Sequence, residues 1–72
     1  MAKSLNSREV EVLALRARGS SVREISDALD IAERSVRAHI QMIVEKLGVS
    51  DEAQATAAAV RDGIISSPGK GS

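Results

Sequence analysis

Seventy-two residues with no cysteine and no Phe, Tyr or Trp make one small domain held by aliphatic packing, near the size where a single core is marginal. One histidine and no cysteine exclude a disulfide framework and a conventional structural zinc site. Ten basic and ten acidic residues cancel, but their order alternates: net +3 over residues 1–23, −4 over 24–33, +2 over 34–50 and −2 over 51–62, which permits a basic face without requiring one. No apolar run reaches membrane-spanning length and no signal-peptide pattern opens the chain, so a soluble, cytoplasmic protein is expected.

Residues 1–4 carry no period and are expected to be frayed. Ser7 can cap a first helix, about 7–18, with Leu5 before it set to pack back on the first turns. Val12, Leu13 and Leu15, with Ala17 beside them, give its apolar face, and Gly19 reads as a left-handed stop. Glu9 falls near the middle of that face. A carboxylate there needs a partner, and an internal salt bridge is the expected one. Ser21 and Glu24 form a capping box for a second helix, 22–29, whose buried stripe is Val22, Ile25 and Leu29. Asp30 and Ile31 make the turn. Ala32 stands at the next cap without a side-chain oxygen, and Glu33 compensates in part through the helix dipole.

The third helix, 33–47, separates its residues cleanly by face. Val36, Ile40, Ile43, Val44 and Leu47 share one stripe; Arg34, Arg37, Ala38, Gln41 and Glu45 share the opposite one, with His39, Met42 and Lys46 on a flank. Taken alone, the polar stripe reads as a solvated charged face. Arg and Gln are nonetheless side chains that can make paired hydrogen bonds to base edges, and Ala38 permits close approach. Gly48 ends this helix and Val49 follows in position for a hydrophobic contact. Ser50 or Asp51 caps a last helix, about 51–62. Its expected core stripe is Ala53, Ala57 and Val60 with Ile64, leaving Ala55, Ala58 and Ala59 outward; Gly63 stops it, and residues 66–72 (SSPGKGS) read as a disordered tail. The expected fold is all-α, four helices with short connections.

Apolar Ile25, small Ser26, apolar Leu29, turn residue Asp30, and apolar Ile31 and Val36 stand at the offsets a helix-turn-helix requires. The small residue lets two helices cross, the turn sets their angle, and Ile31 and Val36 hold the second helix down. On LNSREVEVLALRARG (5–19), SVREIS (21–26), SVRAHI (35–40), EKLGV (45–49), AQA (53–55) and DGII (62–65), the chain resembles the LuxR/GerE-type DNA-binding domain found at the C-terminus of NarL/FixJ-type response regulators. The resemblance covers Leu5 to Ile65. It implies a bacterial transcription regulator that binds double-stranded DNA, usually as a dimer on repeats, with RNA polymerase as a candidate second partner and no cofactor. At the matched positions it implies that Arg37, Ala38 and Gln41 face bases, that Arg23, Arg34, His39 and Lys46 meet phosphates, and that Ala55, Ala58 and Ala59 on the fourth helix form a weak dimer contact.

Three positions depart from the family pattern. Val22-Arg23 stands where Asn-Lys is usual, Ala32 replaces a Ser or Thr cap, and Asp51-Glu52 occupies a place where Arg is common. The neutral charge and that acidic pair give the runner-up reading, a protein-interaction module of the same fold without DNA binding. Outward Arg37 and Gln41 favour DNA over it, since a partner-binding face more often shows apolar or aromatic anchors. An enzyme is not indicated, because His39 has no Cys, Ser or carboxylate at a catalytic spacing. Met42 suits a thymine methyl or helix-flank packing equally. No sensing domain fits in this length, so either the C-terminal domain of a regulator or a single-domain factor is expected.

Overall fold

Four helices follow one another in the computed structural model, which describes residues 5–66: α1 (Ser7–Ala17), α2 (Val22–Leu29), α3 (Glu33–Leu47) and α4 (Glu52–Arg61). The expectations for residues 1–4 and for the tail beyond Ser66 lie outside the described residues. Among the described residues there is no strand, and the fold is all-α. None of the helices is long and apolar enough to cross a membrane.

Local chemistry sets the helix ends. α1 is capped by Asn6 rather than Ser7: its side chain accepts from the Glu9 backbone N–H at 2.8 Å, and Glu9 returns a bond to the Asn6 N–H at 2.9 Å. Both residue types cap well, and the acidic residue three positions on decides between them. Ser21 and Glu24 form the second reciprocal box, as the sequence suggests. Of the two candidates for α4, Asp51 is the cap.

The turn between α2 and α3 is closed twice. Asp30 takes the left-handed conformation at φ 58°, which allows the Ile31 N–H to reach the Ser26 carbonyl at 3.1 Å, while the Ser26 hydroxyl donates to the Ile31 carbonyl at 2.6 Å. Ser26 is therefore more than a small residue at a crossing. It fixes the angle at which α3 leaves.

Helix α3 is central, touching α1, α2 and α4. Its Val36, Ile40 and Ile43 meet Val12 and Leu13 from α1, Ile25 from α2, Ala55 and Ala59 from α4, and Ile65 in one core. The expected register of α4 is corrected here. Ala55, Ala58 and Ala59 are buried, at 1%, 6% and 0% exposure, whereas Ala53 and Ala57 face solvent. Apolarity alone could not choose a face on a helix with alanine all round. Glu52, at the start of the Ala55/Ala59 stripe, meets the Arg16 guanidinium of α1 at 2.8 Å on the side that is buried. The three alanines are thereby withdrawn from any partner surface.

Ala32 is extended at φ −68°, ψ 151°, yet supplies no side-chain hydrogen bond to α3. Ala32→Ser should stabilise the domain by about 1 kcal/mol through an acceptor for the first-turn N–H groups, raising Tm by roughly 4–8 °C. Thermal unfolding followed by circular dichroism checks this. An unchanged Tm would mean that solvent already serves those groups as well.

Candidate nucleic-acid interface

The exposed stripe of α3 starts from its register. With Val36, Ile40 and Ile43 locked inward, Arg34, Arg37, Ala38, Gln41 and Glu45 project to solvent. Arg37 and Gln41 lie four residues and so about 6 Å apart along the axis, with Ala38 between them leaving a shallow step. A face of this kind can donate in pairs to base-edge acceptors.

Two carboxylates frame it. Glu33 Oε1 lies 3.5 Å from Arg37 Nη2, and Gln41 Nε2 donates to Glu45 Oε2 at 3.2 Å. Glu33, Arg37, Gln41 and Glu45 thus form an i, i+4 ladder of two pairs on the exposed side. The sequence reading placed Glu33 only at the helix dipole and Glu45 only on the polar stripe. The four-residue spacing was the signal that could have joined them.

The residues expected at phosphates divide into two groups. Arg23, in the first turn of α2, and Arg34 are exposed, and among the described residues neither has an ionic partner. His39 and Lys46 are half-buried on the flank turned toward α1. Lys46 Nζ donates to Glu9 Oε1 at 2.8 Å, and the Glu9 residue is only 2% exposed. The salt bridge expected for Glu9 exists, and its partner is the lysine assigned to the DNA backbone. The expectation for Lys46 is corrected accordingly: its ammonium is directed into the fold.

Burial alone would raise the Glu9 pKa. The hydrogen bond from Lys46, the Asn6 N–H and the positive field of Lys46 and His39 outweigh that, so the carboxyl titrates below its ordinary value of 4.5. Among the described residues Met42, 45% exposed, is the large apolar group on the outer surface. No cluster of His, Asp or Glu among the described residues could hold a metal ion.

The family model described as bacterial regulatory proteins, luxR family, matches residues 3–59. The chain belongs to this family. Its relatives include the probable transcriptional regulatory protein NarL of Mycobacterium tuberculosis, 43% identical over 65 residues, and the transcriptional regulatory protein LiaR of Bacillus subtilis, 41% identical over 63. These alignments cover 90% and 88% of this chain but 30% of each relative, so the chain spans about a third of the curated proteins it matches. Among solved structures, the transcription factor GerE superposes with a TM-score of 0.84 at 42% identity, covering 89% of this chain and 97% of GerE. The response regulator ChrA of a heme-sensing two-component system gives 0.81 at 34% identity, over 90% of this chain and 32% of its own. In family terms the protein is a LuxR-type domain whose relatives regulate transcription in bacteria, and the family is one of regulators rather than enzymes.

Proposed function

We propose that the protein binds double-stranded DNA with sequence preference, with α3 in the major groove, as the DNA-binding part of a bacterial transcription regulator. The observation that carries this reading is the exposed Arg37–Ala38–Gln41 face on a helix held by all three others. Arg37 suits the paired acceptors of guanine, Gln41 the acceptor and donor of adenine, and Ala38 leaves room for a base edge. Arg23 and Arg34, exposed on either side of the turn, would sit on the phosphates. His39, half-buried, remains a candidate for the same role.

Pairing of two copies on repeated sites belongs to the same proposal. With Ala55, Ala58 and Ala59 in the core, the surface of α4 open to a second copy carries Ala53, Gln54, Ala57 and Arg61.

Affinities of the wild type and Arg37→Ala for duplexes differing by single base pairs test the reading. The substitution should cost about 1–3 kcal/mol at one base pair and relax preference there. A loss equal on every duplex would assign Arg37 to the backbone instead. Absence of duplex binding by the folded wild-type domain would leave the interaction-module reading in its place.

A further inference from the structure

We infer that Glu33 and Glu45 determine specificity: in each pair of the ladder, Glu33–Arg37 and Gln41–Glu45, the carboxylate sets what its neighbour can recognise. The inference rests on α3 reading bases and goes beyond it by assigning function to two acidic residues. A carboxylate on a DNA-facing helix is a cost in itself, because it repels every phosphate it approaches. Here two are present, and each is spent on a group of the reading face, Glu33 on Arg37 at 3.5 Å and Glu45 on Gln41 at 3.2 Å.

An arginine alone gains from guanine, but it also gains from any phosphate within reach. Paired with Glu33 it becomes a locally neutral unit, with the guanidinium directed along the helix toward its N-terminal end. Helix-turn-helix recognition helices touch bases with that end. Such a unit profits little from backbone alone. It profits where guanine offers O6 and N7 to Arg37 and a cytosine amino group is placed to donate to the Glu33 carboxylate, a pairing open to glutamate.

Glu45 acts at the other end by the same logic. It accepts one hydrogen of the Gln41 amide, so the second hydrogen is left for adenine N7 and the amide oxygen for adenine N6. The amide is held in the orientation that adenine requires. Without Glu45 it rotates freely and serves several bases.

Selection from a duplex library with a randomised centre, performed in parallel on the folded wild type, Glu33→Gln and Glu45→Met, tests this. Both substitutions keep the length of the side chain and lie on the surface, and Tm is measured alongside. Glu33→Gln should bind the unselected library a few-fold more tightly, having lost a repulsive charge, while its preference at one G·C pair falls by about tenfold. Glu45→Met, which removes the acceptor, should broaden the choice at the position of Gln41 and leave that G·C pair unchanged. If either variant tightened binding to all duplexes by one factor and kept the wild-type preferences, the ladder would be a surface charge pattern and the inference would be overturned. If the wild type bound duplexes but enriched none, base reading by α3 would fall, and the inference with it.

Discussion

Arginine at Ala59 should leave the domain largely unfolded at room temperature. Ala59 has 0% exposure and contributes to the same core as Val36, Ile40 and Ile43 of α3. The added atoms would force α4 from α3, and an unpartnered guanidinium in a dry core costs several kcal/mol. A domain of this size has roughly 4–10 kcal/mol of stability to lose, at about 0.05–0.15 kcal/mol per residue. Ala58→Arg should act in the same direction, less strongly, since that side chain retains 6% exposure through which arginine can partly escape. Ala57→Arg, one position earlier and exposed, should shift stability by no more than about 0.5 kcal/mol. Circular dichroism during urea unfolding distinguishes the three. Intact folding of Ala59→Arg beside unfolding of Ala57→Arg would place the expected Ala53/Ala57/Val60 stripe back in the core.

That contrast shows where the sequence was readable. Helices α1 to α3 carry Leu, Ile and Val at helical spacing among polar residues, so the apolar period identifies the buried face directly. The turn was legible too, because Ser26, Asp30 and Ile31 each have a geometric task that few other residues perform. In α4 the discriminating quantity vanishes. Ala53, Ala55, Ala57, Ala58 and Ala59 differ in no side-chain property, and what sorts them is distant in the chain: the core residues of α1 to α3, and Arg16, thirty-six residues before Glu52. Tertiary contacts of that span leave no periodic trace.

Lys46 shows the same limit from the other direction. Its place near the end of α3, beside a polar stripe, matches a phosphate contact, and nothing local indicates Glu9, thirty-seven residues earlier. The clue was on the other helix, in a carboxylate set among apolar residues. Two half-statements, an acid needing a partner and a base offered to DNA, were one interaction. The candidate reading face was legible because it is local to one helix: exposure of Arg37, Ala38 and Gln41 follows from burial of Val36, Ile40 and Ile43.

Lys46→Met should therefore lower stability rather than act chiefly on DNA affinity. Methionine keeps most of the aliphatic stem, so the loss isolates the charge. The Glu9 side chain is 3% exposed and that of Lys46 22%, and breaking so enclosed a pair strands a buried carboxylate. Removing one partner of a buried pair costs about 3–5 kcal/mol, and the partial exposure of Lys46 discounts this case to about 2–3 kcal/mol. The pH dependence carries the diagnosis. In the wild type the Glu9 pKa lies below its ordinary 4.5, so its ionised form stabilises the fold above that pH, and this contribution is lost as pH falls through the depressed value. In Lys46→Met burial dominates and favours the protonated acid, so the variant gains relative stability as the medium becomes acidic. The difference between the two proteins should thus be full at neutral pH, begin to shrink above pH 4.5 as the stranded carboxyl of the variant protonates, and go on shrinking until the wild-type carboxyl protonates below 4.5. Urea unfolding of both proteins at a series of pH values measures it. Glu9→Gln in the Lys46→Met background removes the stranded charge while keeping an oxygen for the Asn6 N–H, and should recover much of the loss at neutral pH. A difference constant from neutral to acid pH, with no recovery in the double variant, would show that the lysine stem rather than its charge holds α3 against α1.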